Sequence, residues 1–174
     1  MRLAALWAAA ALSACAAAPV LDVPIVVQQK NGCGAAAIAM VMGYWHERMP
    51  EVPAGDSEGA IFDRLYVPGE KGIRGADMAR YLEQRAFRVF LIRADEADLS
   101  HHVARGRPLI VCLRPGKSAP NHYVVVVGAD PGSGTVSFVD PARGMVICQR
   151  TARFRREWEP AGNWALLAVP RTSE

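Results

Sequence analysis

Lysine is scarce in this chain: three residues against seventeen arginines among 174. The formal net charge is only +3, too little to mark a nucleic-acid binder by charge alone. No Cys-x-x-Cys pair occurs, so a structural zinc site of the usual thiolate type is not expected. No segment repeats at a period of about 20–50 residues, which sets aside solenoids and propellers. After the first fifteen residues there is no long apolar run, and a membrane-spanning helix needs ~20 such residues. What the chain does have is apolar content. Hydrophobic residues make up 51%, enough to supply a core and to exclude global disorder. The length suits one domain, or one domain behind a short leader.

The leader is visible at residues 1–15. Arg2 provides a short positive start, residues 3–12 are an alanine-rich apolar run, and Leu12, Ser13, Ala14 and Cys15 follow. The run is too short to cross a bilayer and reads as a secretory signal peptide. Its ending resembles the bacterial lipoprotein signal, which implies lipidation of Cys15 and a protein tethered to the cell envelope. Ala16 rather than aspartate follows the cysteine, so the outer membrane, facing the periplasm, is the expected site in a Gram-negative cell. An ordinary signal peptide cut after Ala18 is the alternative. Residues 16–22 then form a tether and 23–170 a single domain.

With Cys15 used, Cys33, Cys112 and Cys148 remain, an odd number for an oxidising compartment. A Cys112–Cys148 disulfide would leave Cys33 as a free thiol. Otherwise Cys112 and Cys148 are small buried strand residues. Residues 32–45 form an apolar stretch expected to be a buried helix. Residues 57–66 follow a plausible cap at Asp56 or Ser57. Residues 74–86 are amphipathic, with Met78, Leu82 and Tyr81 turned inward, and 95–105 read as a short helix. Strands are expected at 87–92, 109–113, 122–128, 136–139, 145–148 and 164–169, with turns at 131–134 and 141–144. Residues 150–158 are a basic helix or loop. Helices that largely precede an antiparallel sheet make an α+β layout.

Three short segments carry chemistry. Cys33 opens the apolar helix with Gly32 and Gly34 on either side. A helix N-terminus favours a thiolate, because unpaired N–H groups gather partial positive charge there. The Cys33 N–H can also donate to an oxyanion, and a glutamine a few residues upstream supplies a second donor. His122 opens a β-branched strand, and Asp140 closes the next one eighteen residues later. The turn near their midpoint folds the pair into a hairpin, bringing imidazole and carboxylate to one end of the sheet. Nucleophile, base and orienter would then stand in line.

These segments resemble the papain-like cysteine peptidases of the bacteriocin-processing type, which cut after double-glycine leaders, and in particular their free-standing exported relatives. The matching residues are Val23-Pro24, Gln28, Cys33-Gly34, Ala36, the apolar helix to Tyr44, Gly72 with 74–82, Pro108, His122 through Gly128, and Asp140-Pro141, spanning 23–147. The resemblance implies a papain-like fold with N-terminal helices packed on a C-terminal antiparallel sheet. It implies Cys33 as nucleophile, His122 as general base and then acid, Asp140 as orienter, and Gln28 as oxyanion donor. Two positions depart from the pattern. Gly32 stands where aspartate or glutamine is common, and Val27 occupies the usual glutamine position, leaving Gln28 and Gln29 as candidates.

The expected activity is hydrolysis of peptide bonds through an acyl enzyme, with a peptide or protein substrate and no metal or organic cofactor. The rivals are an inactive peptide- or leader-binding relative, an amide acyltransferase, and a structural envelope protein. His101-His102 and the arginines at 150, 153, 155 and 156 read as solvated faces. No nucleic-acid partner is expected, and oligomeric state is not legible.

Overall fold

The structure, a computed structural model, describes residues 20–116 and 118–171. The leader and the Cys15 lipidation site lie outside the described residues. Five α-helices and six strands occur among those described: α1 (Cys33–Arg48), α2 (Glu58–Leu65), α3 (Gly75–Glu83), β1 (Phe87–Arg93), α4 (Glu96–Val103), β2 (Leu109–Leu113), β3 (His122–Asp130), β4 (Thr135–Asp140), β5 (Met145–Arg150), α5 (Thr151–Trp158) and β6 (Trp164–Pro170). The strands form one antiparallel sheet in the order β1-β6-β2-β3-β4-β5. The expected α+β, papain-like layout is what the chain adopts.

Each face of the sheet has its own core. Helix α1 is apolar nearly all round, as a helix buried on most sides must be. Its Ala35, Ala37, Ile38, Met40 and Met42 pack with Leu82 of α3 and with Val125, Val127 and Leu166 of the sheet. On the opposite face, Leu99 of α4 and Phe154 and Trp158 of α5 cover Leu109, Val124, Val126 and Phe138. The alternation of Val124 and Val126 with Val125 and Val127 is the period-two pattern of a strand. With helices on both faces, all five residues of β2 are buried, which is why that strand reads as an unbroken apolar run. Complete burial of a side chain such as Leu82 or Phe154 contributes about 1.5–3 kcal/mol.

The local signals are specific. Ser57, not Asp56, caps α2 by accepting from the Ala60 N–H at 3.3 Å. Asp56 instead accepts from the Tyr81 hydroxyl and from Arg85 at 2.6 Å. Asp95 and Asp98 form a reciprocal capping box on α4. Residues 68–70 make one turn of 3-10 helix inside a Val67–Gly72 bridge. Helix α1 runs three residues past the expected end at 45, because Val41, Met42 and Tyr44 keep its last turns buried. Leu21 donates to the Val127 carbonyl at 2.8 Å, so the last residues of the expected tether already pack on the domain.

Neither alternative for the two strand cysteines holds whole. Cys112 is a free thiol, so no Cys112–Cys148 bridge forms, and Cys148 is exposed in β5 rather than buried. Cys112 is buried in β2 opposite Tyr123.

Candidate active site

The turn before α1 sets the position of Cys33. Asn31 adopts a left-handed conformation, φ 64°, and the Gly32 N–H donates to the Gln29 carbonyl at 2.9 Å. Cys33 is the first residue of α1, and Gly32 at the cap has no side chain to offer the helix end. The first-turn N–H groups therefore lack a side-chain acceptor from the cap. The residue after Cys33 has to be small. A Cβ at Gly34 would stand 3.1 Å from Ile73 Cβ and 3.5 Å from a Tyr123 ring carbon.

His122 begins β3 and Asp140 ends β4. The register pairs Val125 with Val139, which places both side chains at one end of the sheet. His122 Nε2 lies 2.8 Å from Asp140 Oδ1. The same carboxylate oxygen accepts from the Ala142 N–H at 2.9 Å, and Arg143 Nε stands 3.7 Å from Oδ2. Asp140 is thus held by the turn that follows it. With Nε2 engaged, Nδ1 remains for Cys33. Burial works against the imidazolium of His122, but the Cys33 thiol and the Asp140 carboxylate outweigh it and raise the pKa.

Cys33, His122 and Asp140 line one open cleft of about 1010 Å³ together with Gln28. The Gln28 backbone donates to the Pro141 carbonyl at 3.0 Å. Its side-chain Nε2 makes a 3.3 Å bond to the Gln29 carbonyl, and Oε1 is buried without a partner. Gln29 does not line the cleft; its backbone N–H donates to Glu58 Oε1 at 3.3 Å. Of the two glutamines left open by the sequence, Gln28 is the one that lines the cleft with Cys33. Glu70, Lys71 and residues 72–75 form another wall, and Tyr123, whose ring lies 5.3 Å from that of Trp164, sits beneath it.

The supporting groups Ala142, Arg143 and Trp164 were not singled out as site residues in the sequence. Asp140-Pro141-Ala142 carries the signal of an Asx turn, which could have marked Ala142 as the amide that fixes the carboxylate. His101 contacts Arg105 at 3.0 Å and packs edge-on against His102, away from the cleft.

A thiol at a helix start, facing an imidazole and a carboxylate on an antiparallel sheet, is the architecture of the papain-like cysteine peptidases. The chain belongs to the Peptidase_C39 like family, which matches residues 20–166, and is on that ground a cysteine-type peptidase. Its fold is similar to that of the peptidase domain of Streptococcus ComA, a bifunctional ABC transporter involved in quorum sensing. There the TM-score is 0.66 at 22% identity, covering 84% of this chain and 98% of that one. A double-glycine-motif protease from an AMS/PCAT transporter, solved with a leader peptide, gives 0.66 at 19% identity over 87% and 94%. A C39-like peptidase structure from Bacillus anthracis gives 0.64 at 13% identity over 88% and 98%. No curated protein sequence matches the chain.

Proposed function

We propose that the chain is a lipid-anchored peptidase of the bacterial cell envelope that hydrolyses peptide bonds through Cys33, His122 and Asp140. The observation that carries this reading is the 2.8 Å contact of His122 Nε2 with Asp140 Oδ1 in a cleft shared with Cys33. The Cys33 thiolate attacks the carbonyl carbon, and the negative charge moves to the carbonyl oxygen. The Cys33 N–H and Gln28 Nε2 donate to that oxyanion; the long bond from Gln28 to Gln29 is readily exchanged for it. His122, protonated, gives its proton to the leaving nitrogen as the C–N bond breaks. Water, deprotonated by His122, then cleaves the thioester, releasing the acid and restoring the thiol. Asp140 holds the imidazole in the tautomer this requires.

A peptide substrate is supported by the open cleft and by the leader peptide bound to the structural relative. The lipid anchor rests on Leu12, Ser13, Ala14 and Cys15, and the outer membrane on Ala16. The test is alkylation of the native protein with iodoacetamide across pH, mapped by mass spectrometry. Cys33 is expected to react readily near neutral pH, with the rate falling roughly tenfold or more in His122→Ala. Equal rates in the two proteins would overturn the peptidase reading. Metabolic labelling with a palmitate analogue, lost in Cys15→Ala, tests the anchor.

A further inference from the structure

A second concavity, of about 610 Å³, adjoins the cleft and shares Pro115, His122, Asp140 and Arg143 with it. Its floor is apolar, with Leu113, Val124, Phe138 and Ile147, and its rim is basic, with Arg143, Arg150, Arg153 and Arg156. Among the described residues that line it, the carboxylates are Asp140 and Glu157. Both are engaged: Asp140 by His122 at 2.8 Å, and Glu157 by Arg153 at 3.2 Å. Arg143 is mostly exposed and reaches Asp140 only at 3.7 Å. Arg156, exposed on α5, forms no ion pair among the described residues. Gln149 also lines the concavity, and its Nε2 donor is buried without an acceptor.

We propose that this basic concavity is a subsite for acidic residues of the peptide, so that the enzyme selects substrates carrying Asp or Glu near the scissile bond. The inference rests on the peptidase reading for the path of the chain through the cleft. A peptide passing Cys33 and His122 runs along Arg143 into the second concavity. There Arg143, Arg153, Arg156 and the Gln149 amide present donors for carboxylates, while the apolar floor takes the side-chain methylenes. Cations set around a concavity beside the reacting groups also fit a peptide better than a membrane.

The test uses the full chain carrying Cys33→Ala, which removes turnover, so binding is read whether or not the protein is a peptidase. Two fluorescein-labelled peptides of equal length, one alternating Glu and Gly and one alternating Gln and Gly, are titrated by fluorescence anisotropy. The Glu peptide is expected to bind about tenfold more tightly at low ionic strength, with the advantage shrinking as salt screens it. Arg153→Gln with Arg156→Gln should remove most of that preference. Arg155→Gln, whose side chain pairs with Glu96 and Glu159 instead, should leave it intact. Arg156→Gln alone replaces the double variant if the latter is unstable. Equal binding of the two peptides, or a preference that survives loss of both arginines, overturns the proposal. So does equal peptide binding together with Arg156-dependent capture by phosphatidylglycerol vesicles, which would assign the patch to a membrane surface. Failure of the peptidase reading shows separately, as Cys33 alkylation indifferent to His122.

Discussion

The backbone N–H of Gln28 donates to the carbonyl of Pro141 at 3.0 Å, tying the segment before the thiol to the turn after Asp140. Replacement of Gln28 by alanine keeps that N–H. It removes only an amide whose Oε1 has no partner and whose Nε2 makes one 3.3 Å bond. Stability of Gln28→Ala is therefore expected to stay within about 0.5 kcal/mol of wild type. Peptide turnover should fall roughly 10²-fold, as when an oxyanion donor is lost. Thermal melts beside kcat/KM separate the two effects. An unchanged kcat would remove Gln28 from the reaction.

His122 links stability to pH in a defined direction. Burial opposes its charge, yet Cys33 and Asp140 together lift its pKa above the ordinary 6.5. A folded-state pKa raised above the unfolded value contributes stability that is complete below the unfolded pKa. That contribution fades as pH climbs through the folded one. The gap in Tm between wild type and His122→Gln is thus expected to be wider near pH 6 than near pH 9. A gap that is flat or widens over that range would mean that the imidazolium is not held in the folded state.

The same residues show how far the sequence could be read. Strand β2 was legible end to end, because burial on both faces leaves an uninterrupted apolar run between Pro108 and Arg114. Helix α2 was legible from the candidate caps Asp56 and Ser57, of which Ser57 takes the role, and α4 as a short helix over 95–105, whose Asp95 cap the structure adds. The His122–Asp140 pair followed from hairpin symmetry, since its strands are neighbours in sequence. Sheet order was not legible. Strand β6 inserts between β1 and β2, and pairing between segments that far apart leaves no local pattern. Nor could the second basic concavity be read. It needs Arg143 from a turn and Arg153 and Arg156 from α5 on one side of the sheet, whereas in sequence those arginines resemble an ordinary solvated face.

Cys112 offers an internal control for the reactive thiol. It is buried in β2, and burial, with the nearby Cys33 thiol adding to it, pushes its pKa up to about 11. Treatment of the native protein with iodoacetamide near neutral pH is expected to label Cys33 and leave Cys112 unmodified. Labelling of Cys112 should appear only on addition of denaturant. Peptide mapping before and after denaturation checks this. Equal labelling of both in the native state would contradict the packing of β2 against β3.

Gly75 and Gly59 should respond to the same substitution in opposite ways. Gly75 is the first residue of α3, and a Cβ there would stand 2.6 Å from Trp164 Cζ2. The indole is a rigid plate packed against Tyr123, so the helix start would have to shift. Gly75→Ala is therefore expected to cost about 1–3 kcal/mol. Because residues 72–75 line the cleft, it should also raise KM for peptides. Gly59 lies in the first turn of α2 with nothing within 4 Å of an added Cβ. Its unfolded chain has more freedom to lose than that of alanine, so Gly59→Ala should stabilise by about 0.4–1 kcal/mol. Urea unfolding of the two variants measures both signs in one experiment. A neutral Gly75→Ala would show that Trp164 is free to turn aside, and with it the wall of the cleft.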